Sequence, residues 1–231
     1  MKRLEAVLSF IENCGVLADI GTDHAIVPIM ACAAGKCKRA VASDINPGPL
    51  ARAAANIRAR KLEDRVETRL GGGLSPLAPG EADCIIIAGM GGINILQILE
   101  ESPQTARSAG LLVLQPQRDA VKLRVGLHDL FFCITNEIIA RESNRFYHII
   151  AARPAEAREQ WSDEDYITGK YEKDRDGDIW REFAVNEIKK ITGLIKKVEA
   201  AGEKSRTDSL ETLYYQRDLF LRSINNKILF P

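Results

Sequence analysis

The sequence predicts an α/β fold, with a doubly wound, mostly parallel sheet in residues 1–153 and a helical hairpin of coiled-coil type in residues 154–231. Three observations predict it. Short apolar runs alternate with longer helix-like stretches up to about residue 152, the pattern of parallel strand–helix–strand units. The runs are nearly continuous in apolar character, as strands covered on both faces are. At Pro154 the composition turns polar and acidic, and two apolar stripes at helical spacing follow.

Leu4, Val7, Leu8 and Ile11 recur at helical spacing, with Glu5 and Glu12 between them. They predict an amphipathic leading helix rather than a signal peptide. Strands are expected at 16–20, 40–43, 66–70, 85–87 and 111–114, and helices at 26–34, 50–60, 93–100 and 120–130. The runs FFCITNEIIA and FYHIIAAR are separated only by a short turn, which predicts an antiparallel hairpin at one sheet edge. Beyond Pro154, Trp161, Tyr166, Ile167 and Trp180 are anchors for an otherwise polar segment. Ala184, Ile188, Ile191, Ile195 and Val198 form the first stripe, and Leu210, Leu213, Arg217, Phe220 and Ile224 the second. A turn at 201–205, with Gly202 as helix stop, makes them an antiparallel pair.

Composition excludes several classes. Apolar residues are 45% of the 231, so the chain folds around a core. Lys+Arg and Asp+Glu are both 32, so a polyanion can be held only by a local patch. The five cysteines are odd in number and include no C-x-x-C pair, which argues against zinc and against a disulfide framework. Cys84 and Cys133 are expected in the core. A reducing, cytoplasmic compartment is expected, with no membrane span, no metal and a monomeric chain.

The site-bearing stretches lie where strands end. In open parallel sheets ligands bind at the carboxyl ends of the strands, where the strand order reverses. The first loop reads VLADIGTDH. Gly21 turns the backbone off the strand, but Asp23 and Ala25 stand where a dinucleotide fold needs further glycine. A carboxylate at 23 would repel a pyrophosphate and could sit beside a cation. S-adenosyl-L-methionine has a sulfonium, an ammonium and no phosphate, and is the cofactor this loop favours. Asp44, 25 residues after Asp19 in ASDIN, is placed to accept from ribose hydroxyls, with Ile45 beside it; Asn46 and Pro47 start the next helix. Gly71, Gly72, Gly73 and Leu74 follow the third strand. They read either as a flexible turn or as backbone recognition of an adenine edge, with Leu74 against the ring. Gly89, Met90, Gly91 and Gly92 follow the fourth, and are either a structural turn or a place where ligand meets backbone, with Met90 as an apolar wall. Gln115, with its backbone fixed by Pro116, is expected to project at the same rim, an amide suited to a base edge.

LADIGTDHAIVPI, ASDINPGPL, IIIAGMGG and LVLQPQ together resemble the bacterial tRNA (adenine-22 N1)-methyltransferase family, along the whole chain. The resemblance implies a Rossmann-like class I methyltransferase core. It also implies the cofactor S-adenosyl-L-methionine and methylation of N1 of adenine 22 in the D-loop region of tRNA. It carries over Asp19, Gly21, Asp23 and His24, then Asp44, then Met90, Gly91 and Gly92, then Gln115 and Pro116. The chain departs from the family at Gly72, where G-[DN]-G-L is usual, and at Gln117, where Q-P-N is usual.

On this reading Asp23, His24 and Gln115 are the catalytic candidates. Asp23 stabilises developing positive charge or takes a proton, and His24 is its partner or is bonded to backbone. Asp19, Gly21, Asp44, Ile45, Gly72, Gly73, Leu74, Gly89, Met90 and Gly91 are the cofactor-binding candidates. Gly92, Pro116, Lys196 and Lys197 are assigned to substrate. Lys189, Lys190, Lys196, Lys197, Lys204 and Arg206 cluster along the hairpin, as a tRNA-gripping arm or as a solvated face. A small-molecule methyltransferase and a non-catalytic RNA-binding protein that holds the cofactor remain the alternatives.

Overall fold

The computed structural model describes residues 2–171, 177–200 and 207–229. Among them the chain divides into two compact units, Met1–Gln160 and Trp161–Pro231. The sequence places the boundary at 153/154. Residues 155–160 hold to the first unit through Ala155 N–H on Phe131 O at 2.8 Å and through Arg158 on Asp129 at 2.8 Å.

In the first unit α1 (Arg3–Phe10) leads into β1 (Cys14–Ile20), α2 (Ile26–Ala33), β2 (Cys37–Asp44), α3 (Pro47–Ala59) and β3 (Val66–Leu70). Then come β4 (Cys84–Gly91), α4 (Gly92–Glu101), α5 (Pro103–Ser108), β5 (Leu111–Arg118), α6 (Ala120–Asp129), β6 (Phe132–Glu142) and β7 (Arg145–Pro154). The strands form one seven-stranded sheet in the order β3-β2-β1-β4-β5-β7-β6. β1 to β5 are parallel, and β7 runs antiparallel to both β5 and β6. The predicted edge hairpin is present, with β7 inserted between β5 and β6. The order reverses between β1 and β4. Right-handed crossovers therefore put α2 and α3 on one face and α4 and α6 on the other.

Ile85, Ile86, Ile87, Leu112, Val113 and Leu114 are all fully buried, so both faces of the central strands are covered, which explains their unbroken apolar runs. α3 starts at Pro47 with Asn46 as its N-cap. α5 carries too short a pattern to be read from sequence. β4 and β5 run further than their apolar cores: the ladder continues past a bulge as Met90 opposite Pro116 and Gly91 opposite Arg118. Pairing with a neighbour, not local hydropathy, extends them and carries the rim loops. Cys84 is buried, while Cys133 is half-buried and its thiol donates to Glu159 at 3.1 Å.

In the second unit α7 (Asp163–Thr168) precedes α8 (Gly177–Ala200) and α9 (Thr207–Leu229). Ser162 caps α7 by accepting from Asp165 N–H. The Trp180 indole is buried and donates to Thr168 O at 2.9 Å, and Trp161 stacks near Tyr166 at 5.7 Å. α8 and α9 pack antiparallel, with Phe183 edge-on to Phe220 at 6.0 Å and the Tyr214 hydroxyl on Glu199 at 2.5 Å. The predicted turn at 201–205, with Lys204 and Arg206, lies outside the described residues. Among the described residues no helix is long and apolar enough to cross a membrane.

Candidate active site

The rim at the carboxyl ends of β1, β2, β4 and β5 is built by the loops the sequence singles out. Gly21 and Thr22 leave β1 with both N–H groups on Ser43 O, at 2.8 and 2.9 Å, so the first loop is tied to β2. Gly21 sits at φ +74°, and a Cβ there would collide with the Met90 methyl from β4. The thioether could swing aside, but the left-handed backbone would still disfavour a side chain. Ala25, also left-handed at φ 51°, starts α2, and its N–H donates to the Thr22 hydroxyl at 3.1 Å.

Three carboxylates stand around this loop in different states. Asp19 is only 7% exposed, and burial pushes its pKa up to about 6 against a smaller downward pull from Thr22. Its sequence neighbour in the motif, Asp23, is exposed. Arg52 of α3 binds Asp23 Oδ1 through Nε at 3.2 Å and through Nη2, while His24 Nε2 lies 3.2 Å from Oδ2. The Arg52 guanidinium, with a lesser part from His24, holds the Asp23 carboxyl below its usual range. Asn56 Nδ2 donates to His24 O at 3.0 Å, so α3 supports both residues of the pair. Asp44 accepts the Asn46 N–H at 2.7 Å, a turn that starts α3 and leaves acceptor capacity on the carboxylate.

The other candidates divide by burial. Ile45 is 68% exposed, and its Cδ1 lies 3.2 Å from where a Cβ on Gly72 would be, so Ile45 and Gly72 face each other. Gly73 is left-handed at φ +53°. Leu74 is 1% exposed: this apolar side chain turns into the core and does not lie at the rim, where only its backbone could serve. Gly89 is left-handed at φ +82°, with Gln117 and Arg3 within 4 Å of its would-be Cβ. Gly91 caps α4. A Cβ on Gly92 would meet Asp119 O at 2.5 Å, so this glycine is required for packing of the β4–α4 turn on the β5–α6 turn.

Gln115 corrects the sequence reading. Its side chain is fully buried and does not project to the rim. Oε1 accepts from Arg3 Nη1 at 3.1 Å and Nε2 donates to Pro116 O at 2.9 Å. A buried amide needs partners at both ends, and α1 supplies one of them. Pro116 is buried as well, and Gln117 is the exposed residue here. Arg3 also lies over the Tyr147 ring at 5.6 Å. Arg3 and Arg52 were both missed by sequence reasoning. Arg52 could have been suspected from its place in the second turn of the helix that follows Asp44; Arg3, 112 residues from its partner, gives no local signal. Lys196 and Lys197 are exposed on α8, in the second unit.

The protein-family comparison matches the methyltransferase domain to residues 1–150. The chain belongs to that methyltransferase family. A curated relative, the tRNA (adenine(22)-N(1))-methyltransferase of Bacillus subtilis (strain 168), is 37% identical over 151 residues, which are 65% of this chain and 63% of the relative. The match thus spans less than two thirds of that protein. Solved structures extend the likeness to the whole chain. Bacillus subtilis TrmK, an M1A22 tRNA methyltransferase, is 28% identical with a TM-score of 0.82, over 96% of this chain and 97% of that one. Streptococcus pneumoniae Sp1610, solved with S-adenosyl-L-methionine, is 29% identical with a TM-score of 0.82, over 97% and 100%. An uncharacterized Listeria monocytogenes protein reaches a TM-score of 0.90 at 29% identity, over 97% and 99%. In this methyltransferase the ends of β1 and β2 and the loop between β1 and α2 carry the buried acid Asp19, the ion-paired acid Asp23 and Asp44, which accepts the Asn46 N–H.

Proposed function

We propose that this protein is a cytoplasmic, S-adenosyl-L-methionine-dependent enzyme that methylates N1 of adenine 22 in tRNA. The acid-bearing, glycine-poor first loop carries the reading, because it suits a cationic donor and a cationic product and repels a pyrophosphate. The named activity of the Bacillus subtilis relative supports the choice of acceptor.

Asp44 would accept from the ribose hydroxyls of the donor, and Ile45 with the Gly72 and Gly73 backbone would flank its adenine. Asp19 would pair with its ammonium, since a buried carboxyl without a cation is held partly protonated. Gly21, Gly89, Met90 and Gly91 would bound the donor at the β1 and β4 ends. S-adenosyl-L-methionine, when bound, supplies a methyl group already activated on a sulfonium. Adenine N1 must first leave its stack, at a cost that is smaller in a loop than in a duplex. The N1 lone pair would take that methyl group, leaving positive charge on the ring. Asp23 is the group for that charge. Because Arg52 keeps its carboxyl ionised and weakly basic, its role is electrostatic stabilisation rather than proton removal. His24, supported by Asn56, holds the second Asp23 oxygen. Gln115, tied to Arg3, supports the rim without touching the substrate. Labelled methyl transfer to unmodified tRNA, with mapping of the modified nucleotide, tests the proposal: label at adenine 22 is expected. Label at another nucleotide, or none with turnover of a metabolite, would overturn it.

Donor affinity should depend on pH through Asp19. Burial pushes the folded carboxyl up to about 6, above the ordinary 3.8. In the free protein it therefore binds more protons than in the unfolded chain, and its contribution to stability declines as pH rises from about 4 through 6. A cationic ligand selects the ionised form, so binding should strengthen as pH rises toward 7 and weaken toward tenfold per pH unit below about 6. Calorimetry across this range should show that profile, and Asp19→Asn should flatten it.

The α8 lysines are the proposed tRNA contacts outside the core. Replacing both Lys196 and Lys197 with alanine should weaken tRNA binding and lower the salt slope by about 1.5, at 0.7–0.9 per phosphate contact. An unchanged slope in filter binding would assign them to a solvated face.

A further inference from the structure

The first unit exposes six large apolar side chains among its described residues: Ile26, Ile45, Leu70, Ile93, Val121 and Phe131. Scattered exposure of this kind is ordinary, but these are not scattered. Leu70 is the last residue of β3 and Ile45 the first after β2. Ile26, Ile93 and Val121 are the first or second residues of the helices that follow β1, β4 and β5. Each of the five parallel strands thus ends under one exposed apolar side chain. Only Phe131, between α6 and β6, stands elsewhere. Isoleucine and valine neither cap a helix nor favour its start, so local structure does not explain them.

Ile45 follows Asp44 and faces Gly72, and Leu70 stands opposite Asp44 in the β2–β3 ladder, on the side proposed above for the donor's nucleoside. That leaves Ile26 across the crevice from Ile93 and Val121, because α2 is on one face of the sheet and α4 and α6 on the other. Each side also carries an exposed guanidinium. On one side Arg52, 52% exposed, reaches Asp23 in the loop that leads to Ile26; on the other Arg118, 78% exposed, has its Nε 3.1 Å from the would-be Cβ of Gly91, two residues before Ile93. Both are paired with rim acids, Arg52 with Asp23 and Arg118 with Asp119 at 3.6 Å. Each guanidinium has five N–H donors, so it can meet a phosphate while keeping its acid.

We infer that these two jaws grip the single-stranded RNA segment around the target adenine, with the unstacked flanking bases on Ile26, Ile93 and Val121 and the phosphates on Arg52 and Arg118. Unstacked bases have apolar faces that such side chains can cover and guanidinium planes can stack on, and their phosphates pair with cations. A purely apolar protein partner would find the collar broken by ion pairs. The inference rests on the proposed tRNA activity and adds where on the rim the loop is held.

The test is methyl-transfer kinetics and direct RNA binding, with full tRNA and with a short stem-loop containing the target, on Ile26→Ser, Ile93→Ser, Val121→Ser and the triple variant. Phe131→Ser is the control for loss of exposed apolar area at the opposite end. All four sites are exposed, and thermal melting checks that each variant folds. Donor affinity should be unchanged. KM and Kd for both RNAs should rise by about tenfold in the triple variant, as expected when partial burial of three apolar side chains is lost, with a smaller rise in each single variant and none in Phe131→Ser. Unchanged RNA binding in folded variants would overturn the inference while leaving the activity standing. A concentration-dependent dimer in sedimentation, lost in the triple variant, would instead assign the collar to self-association. A wild-type protein that neither binds nor methylates tRNA would overturn the proposed function itself.

Discussion

Asp23→Asn should lower single-turnover methyl transfer by about 10²–10³-fold, the usual cost of removing one preorganised electrostatic partner, with donor affinity and melting temperature close to wild type. Asparagine keeps the size of the side chain and removes its charge. The carboxylate is exposed and its partners are side chains, Arg52 and His24, so the fold does not depend on it. Its ionisation is secured by Arg52, so the wild-type rate should stay level across neutral pH instead of rising with the titration of a base. A rate that falls by less than tenfold would remove Asp23 from the chemistry. A rate that tracks a titration near neutrality, lost in Asp23→Asn, would make it a proton acceptor and overturn the electrostatic role.

Gly92→Ala should be the most damaging of the small substitutions. The added methyl would stand 2.5 Å from Asp119 O, 3.0 Å from Asp119 C and 3.2 Å from Arg118 O. All three are backbone atoms, and no rotamer change relieves them. Forcing one carbon into such a contact costs typically 1–3 kcal/mol. For a chain of this size each kcal/mol is roughly 2–4 °C of melting temperature. Because the clash pushes the β4–α4 turn off the β5–α6 turn, donor binding should weaken together with stability. A variant that melts like wild type would show that the turns yield, and would return Gly92 to the role of a substrate contact.

The sheet was legible because each parallel strand is buried on both faces and so writes an unbroken apolar run. Ile85 to Ile87 and Leu111 to Leu114 are such runs, and they became the centres of β4 and β5. The candidate rim was legible for the same reason: the end of a buried strand is marked where polar residues begin, at Asp19 and Asp44. The helical pair followed from stripes at helical spacing. What was not legible depends on contacts between residues far apart in the chain. Gln115 read as a rim residue, yet Arg3, 112 residues away, closes over it. Asp23 read as an acid with only His24 for a partner, yet Arg52, 29 residues away, sets its ionisation. Leu74 read as a ligand contact, yet its loop turns it into the core. β7 read as an edge partner of β6, yet it pairs with β5 as well.

The amino-acid sequence by itself determined the alternation of strands and helices, the crevice at their carboxyl ends and the acids that mark it, because periodicity and strand termini are local properties of the chain. Only the tertiary structure decided which of those side chains meet the rim, which are tied beneath it and which cations they pair with. Those outcomes depend on packing between segments that share no local pattern.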